Sequence, residues 1–208
     1  MNPQVQRDLS DIRKAAQERN QEQLQFMLKR LLQSLTFFTA LSVPLEGLYH
    51  FLETFEQYYP DEEWVRKLVI AIGAYGTPPD DSIAEMALHQ RFTAPGMGNY
   101  LKAVYDVTQA MQEKHTSEAR ISFMASAVVN TIMAQLAEAW YGKYPTAWDK
   151  VQQSKRNPET GAYTDPKATT IAYTFWMADD TAQRDTALWL SIADTIEAKF
   201  KRLERVDS

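Results

Sequence analysis

The sequence predicts an all-α fold, a single globular domain over residues 1–208 with about eight to ten helices packed around a buried helix at residues 120–142. Three observations carry this. Apolar residues recur at three- and four-residue steps along most of the chain, the spacing that lines one face of a helix. Only 7 Gly and 9 Pro occur, mostly between the periodic segments, as long regular elements require. The 45% hydrophobic and 24% charged content is that of an ordinary globular protein able to bury a full core.

Asn2 and Pro3 read as an N-cap and first helical residue, followed by Val5, Leu9, Ile12 and Ala16 at alternating four- and three-residue steps. So narrow a seam suits a docking or dimerisation helix over residues 1–19, lying on this chain or on a second copy. Asn20 caps a second helix whose broad face, Leu24, Met27, Leu28, Leu31, Leu32 and Leu35, runs on into Phe37 and Phe38. Pro44 fits the first turn of a third helix, which ends at Tyr58, Tyr59 and Pro60. Asp61 starts a fourth, with Glu62 and Glu63 against its dipole and Trp64, Leu68, Val69 and Ile72 in the core.

Residues 73–81 and 93–99 read as turns around a short helix at 82–92, and irregular loops of this kind are where a site is most readily built. A helix at 100–114 precedes the buried one, which Ser117 opens, with Glu118 in its first turn, and Gly142 closes. The apolar residues of that helix, Ile121, Met124, Val128, Val129, Ile132, Met133, Leu136 and Trp140, spread too widely for a one-sided stripe, which places it at the centre. Beyond Pro145 a brief helix carries Trp148 and Val151, and residues 153–167 form a long polar loop. Residues 168–180 read as a helix whose β-branched and aromatic side chains also suit a strand. The last helix puts Leu188, Trp189, Ile192, Ala193, Ile196, Phe200 and Leu203 on one face, with Asp194, Glu197, Lys201 and Arg205 opposite. Helix lengths and loop spacings are too uneven for a solenoid repeat.

The net charge of -5 disfavours indiscriminate binding to nucleic acid, and the basic residues near the C-terminus alternate with acids. Absence of cysteine excludes disulfides, thiolate metal sites and thiol nucleophiles. The polar start MNPQVQRDLSD lacks a secretory pattern, and the apolar runs are too short for a transmembrane span or interrupted by Asn130, Gln135 and Glu138. A cytoplasmic protein is the expectation.

Two of the three histidines stand four residues after a glutamate, Glu46 with His50 and Glu85 with His89, a spacing that puts carboxylate and imidazole on one helix face. Glu46, His50, Glu53 and Gln57 form a stripe away from the apolar face of Leu45, Leu48, Tyr49, Leu52, Phe55 and Tyr59, so they read first as a solvated face. Glu85 and His89 border the apolar face of a short helix between two irregular loops, and read first as a surface pair. Under the alternative reading Glu85 and His89, joined by Glu46, His50 and Glu53, hold iron or manganese, or His50 or His89 holds haem, in a helical oxidoreductase. His115 suits a helix C-terminus. Asp80 with Asp81 and Asp179 with Asp180 read as helix caps rather than magnesium ligands. Residues 96–99, with Lys102 beyond them, read as the turn that starts a helix, with phosphate binding as the weaker alternative.

No signature of a hydrolase, zinc protease, EF-hand or kinase is present. The leading expectation is therefore a non-enzymatic scaffold, adaptor or assembly factor, with no cofactor, that meets a protein partner or a second copy. Val5, Leu9 and Ile12, together with the aromatic helix ends Tyr58, Tyr59, Tyr144 and Trp148, would make the contact. A further alternative is a small-molecule sensor or carrier whose pocket lies beside the polar line Ser122, Ser126 and Asn130, repeated every four residues.

Overall fold

The computed structural model describes residues 3–76, 82 and 94–146, and positions 190, 193, 194, 197, 198, 201 and 202. Among the described residues the regular elements are all helices: α1 Pro3–Gln17, α2 Gln21–Gln33, α3 Phe37–Tyr58, α4 Trp64–Tyr75, α5 Met97–Met111 and α6 Ser117–Lys143. The short helix expected at 82–92 lies almost wholly outside the described residues, as do Trp148, the 153–167 loop and the element at 168–180.

Local chemistry sets most boundaries. Pro3 is the first residue of α1. The helix ends where Arg19 turns left-handed at φ 54° and the Asn20 N–H donates to the Ala15 carbonyl at 3.0 Å. Asn20 then caps α2, its side chain accepting the Gln23 N–H at 3.0 Å. The resulting hairpin buries Leu9, Ile12, Ala15 and Ala16 with Leu24, Leu28, Leu31 and Leu32. Asp8, buried on the same side of α1, accepts from Arg30 of α2 and from Gln4 at 2.9 Å.

Three expected boundaries are corrected. The second helix stops at Gln33, and Phe37 and Phe38 belong instead to α3, where Phe38 is 67% exposed. Pro44 sits inside α3 rather than at its start. Its ring removes the N–H that would reach the Ala40 carbonyl, and the burial of Ala40, Leu41, Val43 and Leu45 on either side outweighs that loss. The fourth helix begins at Trp64 and not Asp61; Glu63 occupies its cap position and pairs with Lys67 at 2.7 Å. On α3, Tyr49 is exposed instead of buried, its hydroxyl donating to the Val69 carbonyl at 3.2 Å, and Phe51 takes the core position.

Gly96 begins α5 with φ 79°, and a methyl group there would overlap the Ala134 carbonyl oxygen of α6. Glycine thus permits the close approach of the two helices. The cap of α6 is Thr116, which accepts the Ala119 N–H at 3.2 Å, and the helix runs through Gly142 to Lys143. It packs on α2, α3 and α5, while α1 packs on α2 and α4 on α3.

α5 runs antiparallel to α6: Arg120 donates to the Ala110 carbonyl at 2.7 Å near one end, and Asn99 meets Asn130 at 3.3 Å near the other. α3 runs parallel to α6, with the Arg120 guanidinium over the Phe37 ring at 3.8 Å and Gly47 against Thr131. Tyr100 joins α5 to α3 by donating to the Leu48 carbonyl at 3.1 Å.

The described C-terminal positions are helical and lie against α1 and α3. Arg13 donates to Asp194 at 2.5 Å and Glu197 at 2.8 Å, Arg202 to Glu46 at 3.1 Å, and Ala193 is buried. Lys201 pairs with Glu197 at 2.6 Å, as their four-residue spacing predicts. Among the described residues α6 alone is long and apolar enough to cross a membrane, and 61% of its most apolar stretch is buried inside the protein.

Candidate functional site

The most unusual group described is a carboxylate. Asp106 of α5 is 0% exposed. Its two oxygens are held by different elements. Oδ2 accepts from Ser126 Oγ at 2.7 Å and from Asn130 Nδ2 at 3.2 Å, both on α6, while Oδ1 accepts from Lys102, one turn earlier on α5.

Asn130 Nδ2 also reaches the Ser126 carbonyl at 3.0 Å, and its Oδ1 accepts from Asn99 at 3.3 Å, so the network runs across the helix pair without a break. Burial pushes the Asp106 carboxyl above its ordinary range, against the opposing pull of the Lys102, Ser126 and Asn130 hydrogen bonds.

Above this network lies an open groove of about 540 Å³, lined by Lys102 and Asp106 from α5 and by Thr116, Glu118, Ala119, Ser122, Phe123 and Ser126 from the region opening α6. The α6 residues repeat at three- and four-residue steps, so they share a face. Phe123 is braced by the His115 ring at 5.1 Å, and His115 in turn meets Gln109 at 2.9 Å. The groove therefore offers two carboxylates, an ammonium, three hydroxyls and an aromatic face. Such a set can bind and orient a small polar molecule.

The polar line Ser122, Ser126 and Asn130 and the early-helix Lys102 come together here, around an aspartate that the sequence reading did not single out. The signal was present in the four-residue step from Lys102 to Asp106, matched by the same step from Ser122 to Ser126 and Asn130 on the following helix.

The other candidates lie elsewhere. His50 and Glu53 are exposed on α3, and Glu46 is in contact with Arg202. Glu85 and His89 lie outside the described residues. Among the described residues, no three acidic or histidine side chains gather as a metal site would require. Leu9 and Ile12 are buried within the chain and Val5 is partly covered, so the N-terminal seam docks on its own α2.

Tyr59 packs on the core and its hydroxyl accepts the Ala94 N–H at 2.8 Å, whereas Tyr58 and Tyr144 are each 44% exposed. Trp148 is not among the described residues. No known protein family, curated protein or solved structure matches this chain.

Proposed function

We propose that the protein binds a small polar molecule in the groove between α5 and α6, as a sensor or carrier. The observation that carries this reading is the fully buried Asp106 at the floor of a groove of ligand size. Burying a carboxylate costs several kcal/mol, and an apolar residue of similar volume holds two helices together at least as well. Ionisable groups kept in such positions beside a cleft are concentrated at functional sites. The hydroxyls of Thr116, Ser122 and Ser126 supply direction, and Phe123 supplies a flat apolar wall.

The test is a small-molecule panel titrated into the full chain, followed by amide and methyl resonances. Saturable shifts centred on Ala119, Ser122, Phe123 and Ser126, lost in Asp106→Asn, support the reading. A panel that moves none of these resonances refutes it.

A second reading, contact with a protein partner, is favoured by the exposure of Tyr58 and Tyr144 near the C-terminal ends of α3 and α6. We also propose that the whole chain forms one domain of about eight to ten helices with α6 at its centre, since α6 packs on three of the other described helices.

A further inference from the structure

Resting on the groove reading, we propose that the ligand is a small organic cation, a primary amine or a guanidine, whose charged group takes the place of the Lys102 ammonium on Asp106 Oδ1. The two oxygens of Asp106 are unequal. Oδ2 is committed to Ser126 and Asn130, short side chains fixed on α6. Among the described residues, Oδ1 is met by Lys102 alone, on a flexible four-carbon stem whose side chain is 44% exposed.

Lys102 can therefore leave by rotating its own side chain, with no movement of either helix. Its side chain borders the open groove, so the ammonium that turns away is taken up by water. Once it has turned away, the groove has a carboxylate at its floor, Asp106, and another at its rim, Glu118. A cation entering there recovers the interaction that Lys102 gave up, and further N–H groups find acceptors in the Ser122 and Thr116 hydroxyls. A ligand anion would meet Lys102 only beside these same two carboxylates, with like-charge repulsion on both sides.

The experiment is calorimetric titration of the full chain with butylamine and butylguanidine, and with butyrate and inorganic phosphate as the anionic counterparts. The wild type, Asp106→Asn and Lys102→Met are compared. A cation is expected to bind the wild type saturably, to bind Lys102→Met about tenfold more tightly because the internal competitor is gone, and to lose measurable binding in Asp106→Asn. If Lys102→Met does not fold, the wild type and Asp106→Asn decide the matter.

Cation binding that survives unchanged in Asp106→Asn overturns the proposal. So does binding of butyrate or phosphate, abolished in Lys102→Met, without binding of either cation; the groove would then be a ligand site for the opposite charge. Failure of all four probes overturns the cation proposal, and the groove reading falls with it only if the wider panel also leaves the groove resonances unmoved.

Discussion

Replacing Asp106 by Asn separates the cost of the buried charge from the worth of its hydrogen bonds. The amide keeps one carbonyl oxygen, which can face α6 and accept from Ser126 and Asn130. Each of those bonds falls from the roughly 1.5–3 kcal/mol of a charged acceptor to about 1 kcal/mol for a neutral one. The Lys102 pair is lost, but that side chain is 44% exposed and its ammonium can return to water, a loss of under about 1 kcal/mol. Against this, the several kcal/mol needed to desolvate a carboxylate disappear. The balance favours Asn by about 1 kcal/mol at neutral pH, which for 208 residues raises the Tm by about 2–4 °C.

The sign can be checked through pH. Burial raises the Asp106 pKa in the folded protein, so the folded state holds this proton to higher pH than the unfolded state does. The stability tied to that proton is complete below the ordinary aspartate value of about 3.9 and is lost as pH rises through the raised folded value. Asn has no such loss. Urea unfolding followed by circular dichroism from about pH 4 to pH 8 should therefore show the two proteins converging at the acid end and the variant ahead at the neutral end. A variant that is less stable by a constant amount at every pH, or whose deficit grows towards neutrality, refutes the reasoning.

Gly96→Ala should cost about 3 kcal/mol or more in thermal melts, because a left-handed φ and overlap with the Ala134 carbonyl act together. Gly73→Ala, whose methyl would meet only the end of the rotatable Tyr49 side chain, should cost under about 1 kcal/mol in the same assay. Leu28→Ala, at a position 0% exposed in the α1–α2 hairpin, should lower stability by about 2–5 kcal/mol in urea with an unchanged m-value. Hydrogen bonds from Lys201 first, then Arg13, hold the Glu197 carboxyl below its ordinary range, so its contribution is present at neutral pH and lost as pH falls through the folded value. Glu197→Gln should therefore cost under about 1 kcal/mol at neutral pH, with the deficit shrinking in high salt and vanishing in acid.

What was legible in the sequence was whatever a short stretch of chain decides for itself. Asn20 caps α2 because its own side chain reaches the Gln23 N–H, and Leu24, Leu28, Leu31 and Leu32 are buried because their spacing puts them on one face. The misplaced start of α3 shows where that reasoning stops. A proline is locally a reason to begin a helix, but its cost inside one, about 3 kcal/mol, can be overcome by distant burial. The burial of Ala40, Leu41 and Val43 is supplied by helices whose positions no local pattern reports.

Asp106 illustrates the same limit within the site. Beside Lys102 on an isolated helix it is an ordinary solvated ion pair, and only the opposing Ser126 and Asn130 make it a buried one. The clue lay on the other helix: Ser122, Ser126 and Asn130 interrupt an apolar segment at a constant four-residue step, and polar groups on a packed face require a partner opposite. The turn between α5 and α6 is short, so the antiparallel neighbour that must supply the partner is the preceding helix, and Asp106 is its only acid. The glycine-rich stretch expected to build a site as a loop contributes by letting α5 approach α6 closely near Ala134, and the approach of these helices places Asp106 within 2.7 Å of the Ser126 hydroxyl.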